Sequence, residues 1–308
     1  MTAVIQRVGV VGCGQMGAGI AEVCARGGYC VVVQEVNDVL LAAGLAHIGA
    51  SMDKAVTHGK LPSADRERAR GRISGTTGIE ELRDCDLVIE SVPEVATLKR
   101  EVFVSLDAVM PSHAILASNT SSLAVIEMAA ATRRPQQVLG LHFMQPAPVR
   151  PLLEIVYTLL TSQETLQVAR SFGESLGKTV VVSQDTPGFI VNRLVIPYLL
   201  NAVETWERGT ASKEEIDTAA HLGLGHPMGP FALLDLIGLD TVLLISDSIY
   251  AQTKDPRFIA SPLLRRMVTS GRLGRKSGQG FYEYGETGHP REPREKRAGL
   301  SKRAGLPP

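Results

Sequence analysis

At 308 residues, with 44% hydrophobic and 21% charged positions, the chain is long enough for two domains with substantial cores and has a soluble globular profile. Its 32 basic residues balance 32 acidic ones, so no global field draws in nucleic acid. Cys13, Cys24, Cys30 and Cys85 sit among apolar residues without C-x-x-C or His-linked spacing, which argues against disulfides and zinc and predicts packed thiols in a reducing, cytoplasmic compartment.

From Met1 the chain runs straight into a strand-like segment, so no signal peptide is expected. Gly, Pro or charge interrupts each apolar stretch before the ~18 residues of a membrane span, so no membrane association is expected either. The first strand is predicted at Arg7–Val11. Directly after it, Gly12, Gly14 and Gly17 form G-x-G-x-x-G around Cys13, Gln15 and Met16, opening an amphipathic helix that carries Ile20, Val23 and Cys24. In a dinucleotide site Gly12 permits the tight turn, Gly14 lets backbone approach a pyrophosphate and Gly17 allows helix and strand to pack closely. A purely structural glycine turn is the competing reading.

The next predicted strand, Cys30–Gln34, ends at Glu35, whose carboxylate can accept hydrogen bonds from adenosine ribose hydroxyls. With no arginine after Glu35 to receive a 2′-phosphate, NAD is favoured over NADP. Asp38 to Arg72 has helix-forming composition with a turn at residues 58–62, and reads as a helical hairpin inserted into the nucleotide fold. Further strands are predicted at Leu87–Glu90, Ala114–Ala117, Val138–His142, Leu153–Val156 and Val180–Val182. Such alternation of β-branched runs with helical patterns is the rhythm of a Rossmann-type, doubly wound α/β fold on a parallel sheet. Glu94 and Lys99 follow the Leu87–Glu90 strand, where a strand end faces the cofactor in such a fold; exposed helix charges are the other reading.

After Thr186-Pro187-Gly188 the β-rich rhythm stops. Ile190–Arg208, Lys213–Leu222, Pro230–Tyr250 and Pro262–Ser270 carry apolar residues near a 3.6 period and predict an all-α C-terminal domain, with a capping box of Ser212 and Glu215. The domains are placed at 1–185 and 186–285, followed by a basic, Pro/Gly-rich tail at 286–308 that contains KRAGL at Lys296 and again at Lys302 and is expected to be disordered. Leu233, Leu236, Ile237, Leu239, Val242 and Leu243 offer more apolar surface than a short bundle covers, which predicts a homodimer through the helical domain. Asn201 and Trp206 face either core or partner.

Polar residues gather at later strand ends: Ser118 to Ser122, His142, and Glu154 beyond a Pro-rich link. Oxidising a secondary alcohol needs a base for the hydroxyl proton, and an imidazole exchanges protons near neutral pH. Glu154 could orient the ring and stabilise its charged form, as a carboxylate does in a triad. Ser121 and Asn192 could hydrogen-bond the reacting oxygen and polarise a neighbouring carbonyl. Read alone, a strand-end histidine is commonly structural, and Ser and Asn near turns commonly cap helices.

The runs SNTSSL at Ser118, GLHFMQP at Gly140, DTPGFIVNR at Asp185 and GHPMGPFALLDLIGLD at Gly225 resemble the L-3-hydroxyacyl-CoA dehydrogenase family, especially its bacterial 3-hydroxybutyryl-CoA members, over about residues 5 to 284. The resemblance implies reversible NAD-dependent oxidation of a short-chain L-3-hydroxyacyl-CoA to the 3-ketoacyl-CoA. His142 and Glu154 would be the catalytic pair, with Ser121 and Asn192 beside them. It implies NAD contacts from the glycine loop, Glu35, Glu94, Lys99, Ser121 and Lys276, and coenzyme A contacts from the hairpin, with Ser51 matching a family position and His58 and Lys60 near a basic one. No metal is implied.

Two departures lie beside the histidine. Gln145 stands where the family usually has an Asn that touches the nicotinamide end of the site, and Arg150-Pro151 stands where many relatives carry a lysine. The competing functions are dehydrogenation of a related hydroxy acid, sugar acid or acyl-carrier-protein thioester, or NAD binding without catalysis.

Overall fold

The computed structural model describes residues 5–285; the expected tail disorder falls on residues outside them. The chain forms two compact units that part between Ile190 and Val191. The first holds one eight-stranded sheet: β1 (Arg7–Val11), β2 (Cys30–Gln34), β3 (Ile73–Thr76), β4 (Leu87–Glu90), β5 (Ile115–Ser118), β6 (Val138–Phe143), β7 (Leu152–Tyr157) and β8 (Thr179–Gln184), in the order β3-β2-β1-β4-β5-β6-β7-β8. The order reverses between β1 and β4, and the carboxyl ends beside such a switch point form the crevice where ligands bind in open α/β sheets.

Strand side chains alternate between two cores. Val8, Val10, Val31, Val33, Leu139 and Leu141 join one, while Val11, Val32, Val88, Leu116 and Val138 join the other. Both faces are covered by helices, so these strands read as continuous apolar runs. Around the sheet lie α1 (Gln15–Arg26), α2 (Asp38–Thr57), α3 (Ser63–Arg70), α4 (Ala96–Val109), α5 (Val125–Ala130) and α6 (Gln163–Ser175).

Two features differ from expectation. The sheet is not wholly parallel, because β6 and β7 pair antiparallel. Residues 144–151 are all that link them, and a parallel crossover needs a dozen or more. The strand β3 has no counterpart among the predicted ones. Its Ile-Ser-Gly-Thr sequence lacks apolar alternation because it is an edge strand, half-buried at its ends and exposed between.

The predicted hairpin is α2 and α3. Asn37 caps α2 by accepting from the Leu40 N–H at 2.9 Å, and Gly44, Ile48 and Met52, spaced four apart, form its buried side. By length and composition alone α2 could cross a membrane, with a mean hydropathy of 1.3 over its most apolar window, contrary to the expectation that every apolar run is interrupted. Gly44 and Gly49 break the run of large side chains, and α2 lies against α1. Cys13, Cys24 and Cys85 are buried free thiols; Cys30, at the start of β2, is exposed, contrary to its apolar sequence surroundings.

The second unit is helical: α7 (Val191–Glu207), α8 (Lys213–Gly223), α9 (Pro230–Ile237), α10 (Leu239–Thr253) and α11 (Pro262–Thr269). Ser212 and Glu215 form the capping box. The Pro230–Tyr250 run is two helices, not one. Gly238, at φ 101°, turns the chain in a region that other residues rarely adopt. The expected surplus of apolar surface is smaller than the sequence implies. Leu239 and Val242 are fully buried in this unit's core, Leu233, Ile237 and Leu243 pack against it, and of the six only Leu236 is exposed. Trp206 faces that core, edge-on to Phe231 and Phe281 with ring centroids 5.9 and 5.8 Å away, while Asn201 is exposed.

Candidate active site

The turn from β1 into α1 has the geometry its glycines anticipate. Gly12 takes φ +87°, and a Cβ on Gly17 would fall 1.8 Å from the Gly12 carbonyl oxygen, so helix and loop meet only because that atom is missing. Above Gly14 there is open space, and α1 begins with no side-chain cap and no acidic residue in its first turn. Backbone N–H groups in Gln15 and Met16 thus open the helix where a pyrophosphate would meet the positive end of its dipole. Glu35 closes the same corner. Its Oε1 accepts the Cys13 N–H at 2.6 Å and its Oε2 the Val36 N–H at 3.0 Å, leaving further lone pairs for ribose hydroxyls. The residues present fit a dinucleotide.

Glu94 and Lys99 are not exposed helix charges. Lys99 is 1% exposed, and its ammonium reaches Glu90 Oε1 at 2.6 Å, the Val92 carbonyl at 3.2 Å and Glu94 Oε2 at 3.3 Å, one partner for each N–H. Glu94 turns its other oxygen to the loop after β5, where Oε1 accepts from Thr120 Oγ1 at 2.6 Å, Ser121 N at 3.0 Å and Ser122 N at 3.2 Å. Burial opposes the Glu94 charge, but the Lys99 ammonium and these donors outweigh it and hold the carboxyl below its usual range. Ser118 Oγ donates to Glu90 Oε2 at 2.7 Å, so one buried network fixes the carboxyl ends of β4 and β5 and the backbone of Ser121.

At the next strand ends the antiparallel register sets His142 opposite Glu154. His142 Nδ1 lies 2.6 Å from Glu154 Oε2; the histidine is 7% exposed and the glutamate fully buried. An ionised carboxylate only accepts, so Nδ1 carries the proton and Nε2 is the basic nitrogen. Glu154 Oε1 accepts the Ile190 N–H at 3.1 Å, and Phe189, at φ 48°, presents its ring edge-on 5.6 Å from the imidazole. Asn119 ties the two regions by accepting the Phe143 N–H through Oδ1 at 3.0 Å.

Gln15, Ser51 and Gln145 come together along one cleft with Glu22 and His47. His58 and Lys60 are exposed at the hairpin tip and do not line it; His58 Nδ1 lies 2.7 Å from the Lys54 carbonyl. Asn192 is buried in the first turn of α7, and Lys276 pairs with Asp240 at 2.6 Å, both within the helical unit. Glu22, Glu90, Asn119 and Phe189 are absent from the sequence-derived site. Their elements are legible from neighbouring residues, but only long-range contacts single these side chains out.

A glycine loop closed by a strand-end carboxylate, beside a paired histidine at a strand end of the same sheet, defines a dinucleotide-dependent oxidoreductase with a separate helical domain. Residues 7–186 match the model for the 3-hydroxyacyl-CoA dehydrogenase NAD-binding domain, and residues 188–284 match that family's C-terminal domain. The chain belongs to the 3-hydroxyacyl-CoA dehydrogenase family. It is 49% identical to the 3-hydroxybutyryl-CoA dehydrogenase of Mycobacterium tuberculosis over 286 residues, 92% of this chain and 100% of that protein. Among solved structures, M. tuberculosis FadB2 superposes with a TM-score of 0.90 at 49% identity, over 92% of this chain and 100% of that one. The (S)-3-hydroxybutyryl-CoA dehydrogenase PaaH1 of Ralstonia eutropha gives 0.87 at 39%, again over 92% and 100%.

Proposed function

We propose that this chain catalyses the reversible NAD-dependent oxidation of a short-chain L-3-hydroxyacyl-CoA, such as 3-hydroxybutyryl-CoA, to the 3-ketoacyl-CoA, with His142 as general base. The observation that carries the reading is the 2.6 Å contact between His142 Nδ1 and buried Glu154, which makes Nε2 a base with a fixed direction. His142 Nε2 takes the hydroxyl proton as the carbinol carbon becomes a carbonyl, and returns it in the reverse direction. Glu154 steadies the imidazolium so formed. NAD, when bound, would supply the acceptor for the hydride that leaves that carbon. Gly12, Gly14, Gly17, Gln15 and Met16 would hold its pyrophosphate and Glu35 its ribose, while Gln145 and Lys276 belong to the same reading as further NAD contacts. Ser121, its backbone pinned by Glu94, and Asn192 are assigned to the reacting oxygen and the thioester, and Ser51, His58 and Lys60 to coenzyme A. We assign the activity to the cytoplasm and to a homodimer formed through the helical unit.

His142→Gln keeps the size of the side chain and removes the base. It is expected to slow NADH consumption with acetoacetyl-CoA by roughly 10²–10⁴-fold while NADH affinity, read by fluorescence titration, stays unchanged. A wild-type protein that binds NADH and fails to turn over acetoacetyl-CoA defeats the substrate assignment. Free acid and carrier-protein thioesters of the same acyl group, run beside it, identify the competing substrates.

A further inference from the structure

The cleft that gathers Gln15, Ser51 and Gln145 has a carboxylate at its floor that neither the cofactor site nor the catalytic pair uses. Glu22 sits two turns into α1 and is 1% exposed. Its Oε1 accepts from Arg26 Nη1 at 3.0 Å, whereas Oε2 is buried with no hydrogen-bond partner among the described residues. A buried acceptor left unmatched costs the folded protein stability, and a charged one costs more. Protein side chains that retain such an oxygen against a cleft are suited to a donor that arrives with a ligand.

The cleft is built around that oxygen. At Gly19 a Cβ would come within 3.2 Å of Pro148 Cδ and 3.3 Å of Ala147 Cβ, so α1 and the loop after β6 approach closely because no side chain intervenes. Lys178 holds that loop by donating to the Ala147 carbonyl at 2.6 Å and the Arg150 carbonyl at 2.8 Å. Neither lysine nor arginine lines the cleft. With Arg26 held on Oε1 outside the lining, the Oε2 side of the carboxylate disfavours phosphate or a free acid and favours an N–H donor on an otherwise neutral, partly apolar chain. Seven residues of helix separate Glu22 from Gln15, about 10 Å at 1.5 Å per residue, so a pyrophosphate on the helix N-terminus does not occupy this end.

We propose that Glu22 is a specificity-determining residue whose carboxylate accepts a hydrogen bond from an amide N–H of the substrate's pantetheine arm, so that the cleft admits an amide-bearing thioester in preference to a free hydroxy acid. The inference rests on the proposed thioester reading and deepens it. The adenine amino group of coenzyme A is the other N–H donor of that substrate, and the two sources separate when the nucleotide is removed.

The test compares wild type with Glu22→Gln, which is isosteric and, with its oxygen kept toward Arg26, places an amino group where Oε2 stood. A second variant, Glu22→Leu, keeps the approximate volume and removes the acceptor. Each is assayed with acetoacetyl-CoA and with acetoacetyl-pantetheine, and for NADH affinity by fluorescence titration. Loss of a charge-assisted hydrogen bond is expected to lower kcat/KM by roughly tenfold or more on both thioesters, mainly through KM, with NADH affinity within about twofold of wild type. Unchanged kcat/KM on both thioesters overturns the proposal. A loss confined to acetoacetyl-CoA assigns the donor to adenine and overturns it too, as does an equal loss of NADH affinity, which marks a structural role. If wild type itself does not turn over acetoacetyl-CoA, the thioester reading fails instead.

Discussion

Lys99 illustrates how a single buried cation can organise a site. Its ammonium and the Glu90 carboxylate are both almost wholly removed from water, and their charges offset each other with Glu94 beside them. Replacing a buried pair with well-packed apolar groups can be neutral, but removing one partner leaves an uncompensated charge. Lys99→Met is therefore expected to destabilise the folded protein by about 3–5 kcal/mol, read as a lowered midpoint in urea with an unchanged slope. Glu90→Leu combined with Lys99→Met should recover part of that loss; no recovery would mean that packing, not charge, dominates the position. The sequence placed Glu94 and Lys99 near the cofactor without distinguishing a network from exposed helix charges. Charge type and position are local facts, whereas burial depends on what α4 packs against.

At the scale of elements, the corner between α4 and the segment after α5 is held by Asp107. Its two oxygens accept from Arg133 Nε at 2.8 Å and Arg134 Nε at 2.7 Å, and the Arg134 guanidinium also donates to the Asp107 and Met110 carbonyls. Burial opposes the charge, yet the two guanidinium groups and the Arg133 N–H outweigh it and hold the carboxyl below its ordinary value. A depressed folded-state pKa means that this stabilisation is present above the unfolded value near ~3.9 and is lost as pH falls through the folded one. Asp107→Asn is expected to lower the urea midpoint at pH 7 and to narrow its gap from wild type progressively below about pH 4. A gap independent of pH would assign the effect to lost packing. Helices and the hairpin were legible because their apolar spacing and caps are local. The edge strand β3 was not, since a half-exposed strand needs no apolar alternation, and Gly238 breaks what periodicity alone joins into one helix.

Over the whole molecule, the helical unit leaves Leu194, Leu222, Leu224, Leu236 and Leu244 exposed, while much of the apolar residue set that suggested an interface is absorbed by the unit's own core. Scattered exposed leucines are ordinary; several on one small unit are the remaining support for self-association. Sedimentation equilibrium is expected to give twice the 33.0 kDa chain mass, with Leu236→Glu and Leu244→Glu shifting it toward one chain. A concentration-independent single-chain mass in wild type would remove the homodimer. What the sequence determined by itself is everything that depends on near neighbours: the glycine turn, the carboxylate closing the second strand, the inserted hairpin and the change to an all-helical unit. Only the tertiary structure decided that β7 runs back against β6. The short link allows no crossover, and the resulting register brings His142 Nδ1 within 2.6 Å of Glu154. Strand register and burial come from contacts between distant parts of the chain, which is why His142 and Glu154 could be nominated as a pair from the sequence and its resemblance, while the register and the contact that join them came only from the fold.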